Sequence, residues 1–229
     1  MTLVLCWDID GTLLSTGRAG IFAWEDATHA VIDQAVDFSA LDTAGLTDVE
    51  IAARILERFG REPTSDAVGA LLRRYEALLP DRLHRRAGRV APGVQAILEH
   101  LRGQSGVLSI LLTGNTEAGA WAKLRHYGLD GFFQRGAFAD GVRDRSAIAR
   151  RALAVAREVI GREPEARNTY VIGDTPHDIA CARAIGARAI AVATGSYTMP
   201  DLARHEPWWL LPALPEPEAF LGRLATRPA

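Results

Sequence analysis

The run Leu3-Val4-Leu5-Cys6-Trp7-Asp8-Ile9-Asp10-Gly11-Thr12 decides how the rest of the chain is read. Five apolar residues, the length of a buried strand, stop abruptly at two carboxylates and a glycine. Continuous apolar strands belong to parallel sheets covered on both faces, and the ligands of such sheets gather at the strands' carboxyl ends. Asp8 and Asp10 therefore stand where chemistry is done. Two ionised carboxylates about 4 Å apart repel by about 4 kcal/mol at an effective dielectric of about 20. A proton, a basic side chain or a metal ion must offset that repulsion, and oxygen-only ligands favour a hard cation, Mg²⁺.

Two further segments have the same pattern. Leu108-Ser109-Ile110-Leu111-Leu112 ends at Thr113-Gly114-Asn115, and Thr169-Tyr170-Val171-Ile172 ends at Gly173-Asp174-Thr175-Pro176-His177-Asp178. Between them Arg143, Asp144 and Arg145 open an alanine-rich helical stretch, which puts guanidinium charge near a helix start. From Pro92 onward the pattern predicts a helix to about 102, a strand over 108–112, a helix over 116–127, a short strand over 132–138 and a helix over 146–160. A strand over 169–172, a helix over 176–185 and a strand over 188–193 follow, then a last short strand at 208–211, after which Pro212, Pro215 and Pro217 break up the chain. This alternation implies an α/β fold with a doubly wound, Rossmann-like parallel sheet.

Before Pro92 the pattern changes. Three helical segments, over 20–36, 47–59 and 65–79, follow the first strand with no convincing strand among them. Thr47-Asp48-Val49-Glu50 offers a capping-box start to the second and Gly60 a stop. Residues 15–90 therefore read as an all-helical cap domain inserted into a core made of 1–14 and 91–229, with hinges near 14–17 and 90–92.

Composition agrees with a globular protein of one large core, or a core plus a small second domain. Of 229 residues 48% are apolar and 24% charged, so the chain has ample material for burial. A formal charge of −2 gives no electrostatic case for nucleic acid or an acidic membrane surface. No run approaches the roughly 18 apolar residues of a membrane span. The two cysteines, Cys6 and Cys181, do not suggest a disulfide framework. The expectation is a cytoplasmic protein, monomeric or homodimeric.

The quoted segments resemble, in chain order, the four signatures of the haloacid-dehalogenase-like hydrolase superfamily, and the likeness runs over nearly the whole chain. Asp-x-Asp-Gly-Thr-Leu near the start and Gly-Asp-Thr-Pro-x-Asp late in the chain are its most specific marks, with Pro92-Gly93-Val94 and Gly45-Leu46-Thr47-Asp48 in support. The resemblance points to the phosphoglycolate-phosphatase-like branch with a helical cap. It implies that Asp8 is a nucleophile forming an aspartyl-phosphate and that Asp10 is a general acid/base whose backbone carbonyl also meets the metal. Thr113, Gly114 and Asn115 become the phosphoryl-binding loop at a helix start, and Asp8, Asp10 and Asp174 the Mg²⁺ ligands. Asp178 becomes a partner of the metal or of Arg145.

The third signature departs from the family, which has lysine there. The chain's single lysine, Lys123, falls within a helix on another segment, so Arg145 is the candidate and Arg143 its rival. Arginine keeps the charge and can clamp phosphate through two parallel hydrogen bonds. Thr47 and Asp48, with Arg18 near the hinge, are candidate contacts to the leaving group. His177 suits a hard-cation site poorly and reads as substrate-facing or merely exposed. The implied activity is Mg²⁺-dependent hydrolysis of a small soluble phosphomonoester. A sugar phosphomutase would use the same residues, whereas a dehalogenase proper would lack the acid at Asp10, and a non-catalytic binding protein would tolerate loss of Asp8, Asp10 or Asp174.

Overall fold

The computed structural model describes residues 2–225. Strand β1 (Leu3–Trp7) is central, flanked by β4 (Val107–Leu112) on one side and β6 (Thr169–Gly173) on the other. The edges are completed by β5 (Gly136–Ala137) beyond β4, and by β7 (Arg188–Val192) and β8 (Trp209–Leu211) beyond β6. All five pairings are parallel. The chain leaves β1 in both directions across the sheet, so a crevice opens at the carboxyl ends of β1, β4 and β6.

The period of two along a strand divides the core into two apolar clusters. Val4, Cys6, Ile110, Leu112 and Val171 face helices α6 (Arg145–Ile160) and α7 (Pro176–Ala184). Leu5, Trp7, Leu111, Tyr170 and Ile172 face α4 (Val94–Arg102), α5 (Glu117–His126) and α9 (Pro217–Ala225). A short α8 (Met199–Ala203) precedes β8. Each fully buried Leu, Ile or Phe in these clusters contributes about 1.5–3 kcal/mol relative to exposure.

The inserted segment is helical: α1 (Gly20–Ile32), α2 (Asp48–Arg58) and α3 (Ser65–Arg82). Val68, Leu71, Tyr75 and Leu79, spaced three and four apart, make the buried stripe of α3, and Tyr75 stacks on Trp24 of α1 with centroids 3.9 Å apart. Thr47 caps α2 by accepting from the Glu50 amide. Glu50 does not close the predicted box, because its carboxylate pairs with Arg54 and Arg143 instead.

Four features depart from expectation. Both connections to the insert pair as a two-stranded antiparallel ribbon, β2 (Leu14–Ser15) with β3 (Arg89–Val90), so the predicted hinges are one hydrogen-bonded element. The first helix stops at 32 rather than 36, because Asp33 takes a left-handed conformation with φ 61°. Pro217 begins α9 rather than breaking the chain; a first-turn position suits proline because the amide it lacks has no helical partner there. The strand expected over 132–138 shrinks to Gly136–Ala137, since Asp130–Phe132 coil into a 3₁₀ turn. The apolar cluster of α6 and α7 also continues without a break into α1, α2 and α3, so the insert shares core with the sheet.

Candidate active site

The strand ends bring the sequence candidates to one point. Asp8 (end of β1), Asp174 (end of β6) and Asp178 (first turn of α7) are all buried, and one carboxylate oxygen of each lies within 4.8 Å of the others. Arg145, at the start of α6, lies among them and is also buried. Its Nη2 donates to Asp178 Oδ1 at 2.5 Å and stands 3.6 Å from Asp8 Oδ1, while Nη1 reaches the carbonyl of Gly45 at 3.2 Å. Asp178 is held from its other side, where Oδ2 accepts from the amide and hydroxyl of Thr175. Arg143 lies elsewhere: it is half exposed and pairs with Glu50 and Glu57 of α2.

Three carboxylates with one guanidinium are short of positive charge. Burial, then the neighbouring Asp178, pushes the Asp8 carboxyl up to about 7 against the pull of Arg145. Burial followed by Asp178 and Asp8 pushes Asp174 up to about 8, although Thr12 donates to it at 3.1 Å. Arg145, raised by Asp178 and Asp8 against its own burial, stays charged. Gly11 has φ +83° and a Cβ there would overlap the Asp174 carboxylate, so the turn after Asp10 needs glycine for both conformation and space.

The phosphoryl-binding candidates border the same cavity, of about 380 Å³, which Asp8, Asp10, Thr113, Gly114, Asn115, Arg145 and Asp174 all line. The Thr113 hydroxyl accepts from the Asn115 amide, Asn115 Oδ1 is buried with no hydrogen-bond partner, and Thr116 caps α5. Gly114 lets the loop before α2 approach: a Cβ would lie 2.7 Å from the Leu46 carbonyl. A larger open groove of about 920 Å³ runs between β5, α5 and α6. None of the strand-end carboxylates lines it, so volume alone does not locate the site.

Other expectations shift. The carboxylate of Asp10, whose expected contact to the metal is through its backbone carbonyl, lies outside the cluster; its Oδ2 accepts from Lys123 Nζ at 2.5 Å, because a buried ammonium needs a counter-ion. Lys123, set aside by sequence because it lies on a helix away from the third signature, is thus part of the site. α5 follows the Thr113 loop, and its second turn returns the side chain to the cavity. That this is the only lysine in a chain with 26 basic residues was the available signal. Thr47 does not line the cavity; its hydroxyl caps α2. Asp48 does line it, but its Oδ2 accepts from the Thr116 amide at 2.8 Å while its own amide donates to Gly114. Arg18 holds the carbonyls of Ser39 and Leu41. His177 is exposed, its ring close against Gly45. Thr12 and Thr194, which sequence reasoning passed over, bond Asp174 and the Gly11 carbonyl; Val192-Ala193-Thr194-Gly195 repeats the strand-end pattern and was a readable sign.

A parallel sheet with an acidic crevice at its central strand ends defines an α/β enzyme fold. The chain belongs to the haloacid dehalogenase-like hydrolase family, whose model matches residues 5–183. It is 31% identical over 210 residues, 90% of this chain and 88% of the relative, to a protein of Dickeya dadantii strain 3937 named "Probable phosphatase IndB". In fold it is similar to a hydrolase from Pseudomonas syringae, with 20% identity, a TM-score of 0.72, and coverage of 99% of this chain and 100% of the other. A predicted phosphoglycolate phosphatase from Haemophilus somnus 129pt likewise gives 17% identity, 0.72, 97% and 98%. Among the described residues no helix is long and apolar enough to cross a membrane.

Proposed function

We propose that this chain is a Mg²⁺-dependent phosphatase that hydrolyses a small phosphomonoester through an aspartyl-phosphate on Asp8. The observation that carries the reading is the position of Asp8: it lies beside a charged Arg145, in one cavity with the Thr113–Asn115 loop, two residues before an acid that is held separately. The donor set fits a hard cation. Carboxylate oxygens of Asp8 and Asp174 and the Asp10 carbonyl would hold Mg²⁺, with Asp178 behind them, and two of these acids are under-neutralised without it. When bound, the ion offsets phosphoryl and carboxylate charge so that the two can approach.

The side chains divide the work. Asp8 Oδ bonds to phosphorus as the ester P–O bond breaks, and Asp10 gives its proton to the leaving oxygen. Water then attacks the acyl-phosphate, Asp10 takes its proton, and Asp8 leaves as carboxylate. Arg145, Thr113 and free amides around Gly114 and Asn115 bind the phosphoryl oxygens. The helical insert 15–90 acts as a cap that limits substrate size and excludes water. Two buried free thiols suit a reducing, cytoplasmic setting.

A screen of small phosphomonoesters for phosphate release, with Mg²⁺ and with excess chelator, tests the reading. Release that requires Mg²⁺ supports it. Full release in chelator, or none from any ester, contradicts it.

A further inference from the structure

Lys123 is nearly buried, its side chain 6% exposed, and its ammonium has one hydrogen-bond partner, Asp10. Asp10 is 43% exposed and sits in the loop after β1, where an aspartate without a partner would sample several rotamers. Among the described residues no other side chain bonds its carboxylate. The second acid that acts on Lys123 comes from the insert: after Asp10, Asp48 is the next charge favouring the ammonium. Asp48 is also one of the fasteners between insert and core, joined to Gly114 and Thr116 at the start of the helix that carries Lys123.

We infer that Lys123 is a positioning residue for the reaction proposed above: it holds one oxygen of Asp10, leaving the other for the substrate's leaving oxygen, and it ties that placement to docking of the insert through Asp48. An ammonium outside the four signatures thereby sets the geometry of proton transfer. Displacing a reacting group by about 1 Å costs on the order of 10²-fold in rate, so an anchor at 2.5 Å matters. The inference rests on the phosphatase reading and adds a residue to it.

The test uses kcat/KM for two aryl esters of equal bulk near phosphorus, phenyl phosphate and p-nitrophenyl phosphate, since only the poorer leaving group needs a well-placed proton. Lys123→Met is expected to lose about 10- to 100-fold on phenyl phosphate but no more than about 3-fold on p-nitrophenyl phosphate. In an Asp10→Asn background the same substitution is expected to cost less than about 2-fold on either, because Lys123 then has nothing to place. Asp48→Asn is expected to give a smaller loss with the same preference for the poorer leaving group. If Lys123→Met does not fold, Lys123→Arg takes its place in the same cycle, with a partial loss, because a planar fork does not reproduce a single-point contact. Equal losses on both esters, or full additivity with Asp10→Asn, overturns the positioning role and leaves the phosphatase reading standing. If the wild-type chain hydrolyses neither aryl ester, the same cycle is read on the best alkyl ester of the phosphomonoester screen, where Lys123→Met is expected to lose about 10- to 100-fold and an unchanged rate overturns the positioning role; release from no ester of the screen overturns the phosphatase reading itself.

Discussion

Two charged clusters share one cavity, and they are built on opposite principles. Asp8, Asp174 and Asp178 surround a single guanidinium, all of them buried, and the shortage of positive charge drives Asp8 and Asp174 towards the neutral form. In the same cavity Asp10 and Asp48 act on Lys123, and the ammonium is kept charged despite its burial. The first cluster is complete only with an added cation. The second carries its own cation, directly bonded to Asp10, although burial still pushes the Asp48 carboxyl up to about 6 against the pull of Lys123; an acid/base arm fixed by the protein's own ammonium stays in place whatever else the cavity contains.

The contrast sets an order of expected effects. Asp8→Asn, in the first cluster, is expected to abolish turnover of every substrate, because an amide cannot form the acyl-phosphate; steady-state phosphate release measures it. Asp10→Asn, in the second, is expected to lose about 10²- to 10⁴-fold on an ester with a poor leaving group and much less on p-nitrophenyl phosphate. A uniform loss would erase the distinction between the clusters. Arg145→Met is expected to lose about 10²- to 10³-fold in kcat by removing a donor to the phosphoryl oxygens. It also leaves Asp178 buried without its cation, a destabilisation of about 3–5 kcal/mol that chemical denaturation would read.

A smaller effect concerns pH. Asp8 and Asp174 titrate near 7 and 8 in the folded chain but near 3.9 when unfolded, so the folded state binds their protons more tightly. Their contribution is fully present below about pH 4 and is lost as pH rises through 7 to 8. The metal-free protein is therefore expected to melt at progressively lower temperature from about pH 4 to about pH 8, and Mg²⁺ is expected to restore the loss by replacing the protons. A melting profile unaltered by Mg²⁺ at pH 8 would break the account of the first cluster. The smallest effect belongs to Arg143→Ala: half exposed and paired with surface acids, it is expected to alter kcat/KM by less than about 3-fold.

The two clusters also differ in how much of them could be read from sequence. Asp8 and Asp174 stand at breaks between apolar strand and polar loop, a one-dimensional signal, with Asp178 in the first turn of the helix that follows, and the sheet brings residues at such breaks together. The sequence already prefers Arg145 to Arg143, and the structure puts Arg145, the first residue of α6, beside Asp178 and Asp8, while Arg143, in the loop before the helix, pairs with Glu50 and Glu57 of α2. The second cluster depends on an interior position of α5 and on the first residue of α2, far apart in sequence, so the pairing of Lys123 with Asp10 and Asp48 does not follow from local pattern. The ribbon of Leu14–Ser15 with Arg89–Val90 escaped notice for a related reason: two residues carry no periodicity, and the partners lie about 75 positions apart. The two clusters of the core, by contrast, follow directly from alternation along β1.

The central claim is that Asp8 becomes phosphorylated. A single-turnover reaction of Asp10→Asn with p-nitrophenyl phosphate, quenched in acid and mapped by mass, tests it most directly, since loss of the base that activates water lets the intermediate accumulate. The account predicts one phosphoryl group on Asp8, absent from Asp8→Asn. Phosphate on a serine, threonine or histidine, or normal turnover by Asp8→Asn, would contradict it.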